Sequence, residues 1–388
     1  MCPATGSAEK GANSDTPSNA THEPSQWFYS PVPASTERRV LITGGAGFVG
    51  ANLAVELAER HPDWVILALD NLVRRGSELN LPRLKAAGVS FTHADIRVPA
   101  DLVSLPRIDA IVECSAEPSV MAGFEGPDHV VQTNLLGAWN CLQLARRDQA
   151  QVVFLSTSRV YPVLPLNALE IRETATRFEL TDNQSTPGAS AKGITEQFPL
   201  VGARTMYGAS KLAAELLIEE CRADTGLRAV IDRCGVIAGP WQMGKVDQGV
   251  FTFWLVAHRL GWPLTYIGFG GSGRQVRDVL HVADLVELVD EQLADPDRWD
   301  GIVANVGGGV EGSLSLLETT SICQELSGSE VPITPVPEPR PGDVPIYISD
   351  CTHLFDHTSW RPRQSPREML SETWEWICHH EQELEAAL

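Results

Sequence analysis

A glycine-rich turn after a short apolar run constrains this chain more than any other feature. Val40-Leu41-Ile42 leads into residues 43–50, which read Thr-Gly-Gly-Ala-Gly-Phe-Val-Gly, and an amphipathic stretch follows to about Arg60. Between a strand and a helix, glycines at this spacing allow a tight turn, a close backbone approach to phosphate and close helix packing. The helix N-terminus then presents unpaired N–H groups and the positive end of its dipole. The turn therefore predicts a site for the pyrophosphate of a dinucleotide. The residues expected to contact it are Gly44, Gly47, Phe48, Val49 and Gly50.

An acidic residue at the end of the next apolar run narrows the choice of dinucleotide. The run Trp64 to Leu69 ends at Asp70, twenty residues beyond the last glycine of the turn. A carboxylate at this spacing accepts hydrogen bonds from the adenosine ribose hydroxyls, and it would repel the 2′-phosphate of NADP. The sequence thus favours NAD, although Arg74 and Arg75, just past the run, offer the guanidinium groups that could hold that phosphate.

Apolar runs alternate with amphipathic helical stretches from about residue 38 onward. The runs lack a polar alternation, which is typical of parallel strands covered on both faces. We predict an α/β fold, in which residues 38–235 and part of the C-terminal region form a Rossmann-type doubly wound parallel sheet that binds NAD. Residues 236–388, rich in glycine and proline clusters, are expected to form mainly a smaller C-terminal α/β substrate lobe. Residues 1–37, polar and without a hydrophobic period, are expected to form a disordered tail.

Composition excludes several classes of partner and site. The formal net charge of -20 argues against non-specific nucleic-acid binding, which needs a basic surface. No run approaches the ~20 consecutive apolar residues of a membrane span, and the N-terminus lacks an apolar signal-peptide core. The eight cysteines are scattered without a Cys-x-x-Cys spacing, which favours reduced thiols and no metal site. We expect a cytoplasmic protein that binds neither nucleic acid nor membranes.

A tyrosine and a lysine four residues apart predict the catalytic chemistry. Of the five tyrosines only Tyr207 is followed at this spacing by a lysine, Lys211, so both lie on one helical face. The lysine ammonium lowers the pKa of the phenol, which makes the phenolate usable as a general base. Ser156-Thr157-Ser158 ends the fifth predicted strand, at the carboxyl edge where ligands bind in open α/β sheets. With the glycine turn, these residues indicate hydride transfer.

In this order, the motifs resemble those of the extended short-chain dehydrogenase/reductase family of nucleotide-sugar epimerases and dehydratases. The resemblance covers about Arg38 to Trp374. It implies that Thr157 hydrogen-bonds the reacting sugar oxygen and that Tyr207 and Lys211 complete a catalytic triad. Further positions with an implied cofactor role are Asn71, Asp95, Ile96, Ser115 and Asn134. Asp95 is also explained as a plain turn residue, and Asn134 as a polar residue in helix packing.

The residues after Thr157 narrow the reaction. Dehydratases of the family usually place Asp-Glu directly after the catalytic threonine, and nucleotide-sugar decarboxylases commonly carry a glutamate shortly after it. This chain has Ser158-Arg159 instead. The resemblance therefore implies an epimerase, which oxidises a ring hydroxyl transiently and then reduces it again.

Longer segments are similar to the CDP-sugar 2-epimerases of the family, above all residues 273–281, 313–318 and 340–343. In those relatives the arginines matching Arg277 and Arg340 bind the nucleotide diphosphate, which suits the bidentate guanidinium group. An ion pair of Arg277 with Asp278 or Asp284 is the alternative. The residues expected to contact the nucleotide-diphosphate sugar are Glu117, Ser158, Gln248, Arg277 and Arg340.

Departures from the family pattern leave the sugar open. Relatives have a His-Leu-Ala type of strand end where this chain has Glu113-Cys114-Ser115, and Glu117 is either a pocket contact or a solvated loop residue. A UDP-sugar 4-epimerase, or oxidation at C4 with proton shuffling at a neighbouring carbon, is the alternative within the family. A non-catalytic NAD-binding sensor is the alternative of another class. Relatives pair through two helices per subunit, and residues 128–147 and 207–225 are apolar enough to form a homodimer in this way or simply to pack in the core.

Overall fold

The computed structural model describes residues 37–244 and 248–387, so all of the predicted tail except Glu37 lies outside the described residues. The described strands are β1 Arg38–Thr43, β2 Trp64–Asp70, β3 Ser90–His93, β4 Ala110–Glu113, β5 Gln151–Thr157, β6 Ile171–Glu173, β7 Phe178–Leu180, β8 Ala189–Ser190, β9 Gly193–Ile194, β10 Ala229–Cys234, β11 Val236–Ala238, β12 Leu264–Ile267, β13 Val276–His281, β14 Val303–Val306, β15 Ser313–Ser315, β16 Ile333–Val336 and β17 Ile346–Tyr347.

The described α-helices are α1 Phe48–Arg60, α2 Leu81–Ala86, α3 Pro99–Val103, α4 Ala122–Glu125, α5 Pro127–Val131, α6 Ala138–Asp148, α7 Val163–Asn167, α8 Met206–Thr225, α9 Val250–Leu260, α10 Val282–Ala294, α11 Pro296–Trp299, α12 Leu316–Ser327, α13 Thr352–His357, α14 Pro366–His379 and α15 Glu381–Ala387. Short 3₁₀ turns lie at Ser77–Asn80, Ser158–Val160 and Phe269–Gly271.

Seven strands, all paired in parallel, form the central sheet in the order β14-β10-β5-β4-β1-β2-β3. The direction of winding reverses between β1 and β4, which is the doubly wound arrangement that the alternating pattern predicts. The predicted fold class is confirmed. In doubly wound sheets, ligands bind at such a reversal, in the crevice outside the carboxyl ends of the strands.

Burial on both faces explains why the strands lack a polar alternation. In β1, Leu41 and Ile42 are 1% and 0% exposed and belong to different apolar cores. The core on the Ile42 side includes residues of α1 and α10, and the core on the Leu41 side includes residues of α6 and α8. Each fully buried side chain of this size contributes about 1.5–3 kcal/mol, so both helical layers are needed to hold the sheet.

The long helix predicted over residues 128–147 is interrupted. Between α5 and α6 the chain makes a π-helical segment, Gln132–Gly137, which holds Asn134 in its interior. A π segment adds a residue to the turn and re-aims the side chains around it, which is why such segments are frequent at functional sites. Helical periodicity alone does not show it.

The C-terminal region contributes to the central sheet and also builds smaller sheets. Its strand β14 pairs with β10 at the edge of the central sheet. Strands β11, β13, β15 and β17 form a second sheet, β12 pairs with β16, and α9, α12 and α14 enclose an apolar core of their own. None of the helices in the described ranges is long and apolar enough to cross a membrane. The seven described cysteines are free, and five of them are buried.

Candidate active site

The turn between β1 and α1 has the shape that a pyrophosphate site needs. Gly44 adopts a left-handed backbone with φ of +62°, and a Cβ atom on Gly50 would lie 2.2 Å from the carbonyl oxygen of Gly44. Gly47 precedes α1 and has no side chain that could cap the helix. The N–H groups of the first turn, which includes Phe48 and Val49, therefore have no hydrogen bond from a capping side chain. Backbone that close and donors that face outward fit the anionic part of a dinucleotide.

Asp70 ends β2 beside this turn and helps to shape it. Its carboxylate accepts hydrogen bonds from the backbone N–H groups of Ala46 (3.1 Å) and Leu72 (2.8 Å). Burial raises the pKa of Asp70, while these hydrogen bonds oppose that rise. The structure thus shows Asp70 as a turn residue at the end of β2, and its contact with the cofactor ribose stays a prediction.

The next strand end is held by its own polar contacts. Asn71 donates to the Asp95 carboxylate (3.0 Å), and the Arg97 guanidinium pairs with the same carboxylate at 2.6 Å. The hydrogen bonds from Arg97 hold the pKa of Asp95 well below its usual range. Ile96 is buried. Asp95 therefore serves as a turn residue here, at the edge predicted for the adenine.

Arg74, one of the two arginines that could hold a 2′-phosphate, has other partners. Its guanidinium donates to the side chain of Gln248 and to the carbonyl oxygen of Met243 (3.0 Å). Gln248 in turn donates to the Glu117 carboxylate (3.2 Å). These contacts connect the end of β2 to the C-terminal region and leave Arg74 committed to protein groups.

Asn134 fixes the segment that follows β4. Its amide oxygen accepts from the Glu117 backbone N–H (2.7 Å), and its amide nitrogen donates to the Glu117 carbonyl (3.1 Å) and to the Ser210 hydroxyl (3.2 Å). The Glu117 carboxylate itself accepts from Gln248 and from the Ser119 N–H (3.0 Å), and a contact with the sugar stays a prediction. Ser115 lies against the glycine turn: a Cβ on Gly44 would be 3.2 Å from its Cα.

Thr157, Tyr207 and Lys211 come together at the carboxyl edge of the sheet. Thr157 is the last residue of β5, and the other two lie one turn apart in α8, whose N-terminus is capped by the Thr205 hydroxyl accepting from Gly208 (3.2 Å). Burial raises the pKa of Tyr207, whereas the Lys211 ammonium and a hydrogen bond with Thr157 lower it. The expected effect of Lys211 is present, but burial outweighs it, so a net lowering of the tyrosine pKa is not found.

A buried carboxylate, absent from the predicted site, pairs with the lysine. Glu113 ends β4, and its carboxylate lies 3.1 Å from the Lys211 ammonium. It also accepts a long hydrogen bond from the Thr43 hydroxyl (3.5 Å), and the ammonium lies 4.0 Å from the centre of the Phe154 ring. The sequence gives one signal of this contact, since a carboxylate that ends a strand between β1 and β5 must face the same edge as Thr157.

The predicted diphosphate arginines lie on the C-terminal side of the crevice. Arg277 pairs with Asp343 at 2.6 Å, so neither Asp278 nor Asp284 is its partner in the described residues. Arg340 begins the turn that ends at Asp343, whose N–H donates to its carbonyl (3.1 Å). Arg277 and Ser158 both line a cavity of about 40 Å³ beside the strand end that carries Thr157. Over the described ranges, no group of three or more His, Cys, Asp or Glu side chains is placed to hold a metal ion.

Comparisons with known proteins agree with this geometry. The CDP-paratose 2-epimerase of Salmonella typhi is 28% identical over 350 residues, which cover 87% of this chain and 98% of that protein. A dTDP-glucose 4,6-dehydratase of Mycobacterium tuberculosis is 28% identical over 348 residues, covering 88% and 94%. The solved structure of the UDP-glucose 4-epimerase of Thermus thermophilus in complex with NAD superimposes with a TM-score of 0.71 at 27% identity, covering 88% of this chain and 99% of that one.

The match to a family covers the glycine turn and the candidate triad. Residues 40–307 match the NAD dependent epimerase/dehydratase family, from β1 and the glycine turn through Thr157, Tyr207 and Lys211 to the end of β14. NAD is the cofactor of this family, and the cradle formed by Gly44, Gly47 and Gly50 fits it. The chain is an enzyme of the NAD-dependent epimerase/dehydratase family.

Proposed function

We propose that this chain is an epimerase of a nucleotide-diphosphate sugar, with 2-epimerisation of a CDP-sugar as the favoured reaction. One observation carries the proposal. Thr157 and Tyr207 share a hydrogen bond at the carboxyl edge of the sheet, and the residues after Thr157 are Ser158 and Arg159. Elimination of water requires an acid–base pair at the sugar, and this chain has no Asp-Glu directly after its threonine. Oxidation and re-reduction of a single carbon needs only one base and the cofactor.

Each residue of the triad has a distinct role in the proposed reaction. The Tyr207 phenolate removes the proton of a ring hydroxyl, and the Thr157 hydroxyl orients that oxygen. The Lys211 ammonium stabilises the phenolate. NAD, when bound, supplies the hydride acceptor that is restored within the same turnover. The glycine turn, Asp70 and the residues predicted beside them hold the cofactor.

The nucleotide diphosphate is proposed to lie against the C-terminal region. Arg277 and Arg340 provide guanidinium groups there, and the phosphate oxygens would replace the Asp343 carboxylate as the partner of Arg277. Glu117, Ser158 and Gln248 are proposed to contact the sugar.

The CDP-sugar is favoured over other nucleotide sugars by similarity along nearly the whole chain. The 28% identity to the Salmonella typhi enzyme extends over 98% of that protein. A UDP-sugar 4-epimerase is the second candidate, because the Thermus thermophilus enzyme is 27% identical and has the same fold. Incubation of the protein and NAD with CDP-paratose and, separately, with UDP-glucose decides between them, with the sugar stereochemistry followed by NMR. Inversion of neither sugar would contradict both candidates.

A variant of Tyr207 tests whether the protein is an enzyme or a non-catalytic NAD-binding sensor. We expect Tyr207→Phe to reduce the epimerisation rate by about 10²–10⁴-fold, since it removes the general base, while NAD binding is kept. Tyr266→Phe is the matched control, because that phenol contacts Thr320 in the C-terminal core. Unchanged epimerisation by the Tyr207 variant would contradict the proposed mechanism.

We also propose that the protein is a cytoplasmic homodimer. Leu136, in the π segment, and Leu216, in α8, are 49% and 57% exposed, and the two elements lie side by side. Exposed apolar side chains on adjacent helical segments favour burial against a second copy. Sedimentation of the wild type and of a Leu216→Glu variant tests this: a dimer that the variant dissociates is expected, and a monomeric wild type would contradict it.

A further inference from the structure

Arg159 is fixed beside the candidate triad by its backbone. Its N–H donates to the Thr157 hydroxyl (3.2 Å), within the 3₁₀ turn that follows β5. Its carbonyl oxygen packs so closely on the first turn of α8 that a Cβ on Gly208 would lie 1.9 Å from it. Tyr207 precedes Gly208 in α8. The Arg159 backbone is therefore held both against α8 and against the end of β5 at Thr157.

The guanidinium of Arg159 has no counter-ion. It donates one hydrogen bond to the carbonyl oxygen of Gly342 (3.0 Å) and pairs with no carboxylate among residues 37–244 and 248–387. Asp343 is the carboxylate whose charge acts on the Arg159 guanidinium, and it is paired with Arg277. Burial, and then repulsion from Arg277, lower the pKa of Arg159. A partly buried cation that is left unpaired is costly unless a ligand supplies the opposite charge.

This guanidinium lines the cavity of about 40 Å³ described above. The lining residues with polar side chains are Ser158, Arg159, Tyr161, Thr205, Arg277 and Tyr347. The others are apolar, and no carboxylate is among the lining residues. A water molecule needs on the order of 10–15 Å³ of such space, so the cavity has room for a group the size of a carboxylate or a phosphoryl head. Two of these residues are cations, of which only Arg277 is paired with a carboxylate of the described residues, Asp343, and four carry hydroxyl groups. Such a set suits an anion.

We propose that this cavity binds an oxyanion of the substrate and that Arg159 is its principal ligand. The inference rests on the proposed function, since it takes the substrate to be a nucleotide-diphosphate sugar. Two parts of such a molecule carry the required chemistry: a carboxylate on the sugar ring, as in a nucleotide uronic acid, and a phosphoryl group of the diphosphate.

Binding measurements on the full chain with NAD present distinguish the two sources. Titration calorimetry first compares CDP, UDP and dTDP, and then the glucose and glucuronic acid derivatives of the base that binds most tightly. The variants are Arg159→Gln, Arg159→Lys, which keeps the charge, and Arg172→Gln, a control whose side chain is 70% exposed. A sugar carboxylate in the cavity predicts that the wild type prefers the glucuronic acid derivative by about tenfold or more. Arg159→Gln then abolishes this preference, and Arg159→Lys retains part of it.

A phosphoryl group in the cavity predicts a different pattern. Arg159→Gln then weakens the diphosphate and both sugar derivatives equally, by about tenfold or more, and Arg172→Gln changes none of them. Either pattern supports the oxyanion site. Affinities of Arg159→Gln that equal those of the wild type, or no affinity of the wild type for any nucleoside diphosphate, would overturn it. If the glutamine variant fails to fold, Arg159→Lys provides the test, since it keeps the charge but loses the bidentate guanidinium geometry. A weaker preference or affinity than that of the wild type is then expected, and equal affinities would overturn the site. Oxyanion binding without epimerisation of any sugar would contradict the proposed function alone.

Discussion

The Glu113 carboxylate lies 3.1 Å from the Lys211 ammonium, and the two side chains are 2% and 1% exposed. Burial raises the pKa of Glu113, and the ammonium opposes that rise. The pair therefore holds the lysine at the position that it needs beside Tyr207. It also offsets part of the positive charge that would otherwise act on the phenol.

Removal of one partner should destabilise the protein more than removal of both. Glu113→Gln leaves a buried ammonium without its counter-ion, for which we expect a loss of about 3–5 kcal/mol in the free energy of unfolding. Lys211→Met leaves a buried carboxyl, and the double variant removes both charges. Chemical denaturation of the four proteins in a double-mutant cycle measures the coupling. If the stability losses of the two single variants add up to the loss of the double variant, the two side chains do not interact.

The pH dependence of catalysis should reflect the raised pKa of the Tyr207 phenol. Because burial raises the pKa of Tyr207 above the ordinary value of about 10, only a small fraction is phenolate near neutral pH. The base acts in its deprotonated form, so kcat/KM should rise about tenfold per pH unit across neutral and mildly alkaline pH and reach no plateau below pH 8. Initial-rate profiles of the wild type provide the measurement, with Tyr207→Phe as the control that lacks the rise. A plateau already reached at pH 6 would be incompatible with this account.

The glycine turn gives a prediction for cofactor binding. An alanine at position 50 would place its Cβ 2.2 Å from the Gly44 carbonyl oxygen, so the turn must open and the pyrophosphate site is distorted. We expect Gly50→Ala to weaken NAD binding by at least about tenfold, or about 1.4 kcal/mol. Gly88→Ala, before β3, is a control for backbone strain outside the turn, because a Cβ there meets nothing within 4 Å while φ is +75°. Equal NAD affinity of the two variants in calorimetry would refute the assigned pyrophosphate site.

A buried aspartate outside the site should make stability depend on pH. Asp232 is 0% exposed in β10, and one of its oxygens accepts a hydrogen bond from Gln292 (2.9 Å). Burial raises its pKa from 3.8 to about 7. The folded protein therefore keeps a proton that the unfolded chain releases, and stability is lost as the pH rises from about 4 to about 7. At about 1.4 kcal/mol per pH unit the loss is roughly 4 kcal/mol.

Asp232→Asn should remove this dependence. The variant keeps the acceptor for Gln292 and carries no ionisable group at this position. Relative to the wild type, we expect the variant to gain stability between pH 4 and pH 8 in urea denaturation. A difference between the two proteins that does not change with pH would show that Asp232 ionises normally.

The sequence predicts the sheet well because each strand is marked by an apolar run of neighbouring residues. Leu41 and Ile42 are both buried, and a run that is apolar at consecutive positions has few alternatives to a parallel strand covered on both faces. Spacing along one or two elements likewise predicts the glycine turn, Asp70 and the pair Tyr207 and Lys211.

Contacts between distant segments could not be predicted in this way. The partner of Arg277 is Asp343, sixty-six residues away, and the partner of Lys211 is ninety-eight residues away. Spacing along the chain carries no information on such pairs. The net pKa of Tyr207 depends on the packing of several elements around it, and the π segment at Asn134 depends on tertiary contacts rather than on helical period.

The central claim is that one carbon of a nucleotide sugar is oxidised and then reduced at that same carbon. Epimerisation in D₂O tests it most directly, with NMR of the sugar and absorbance of NADH recorded together. The account predicts an inverted carbon that carries no deuterium from the solvent, and no net accumulation of NADH. Deuterium at the inverted carbon, which proton exchange beside a ketone would introduce, or accumulation of NADH in proportion to the sugar consumed, would contradict it.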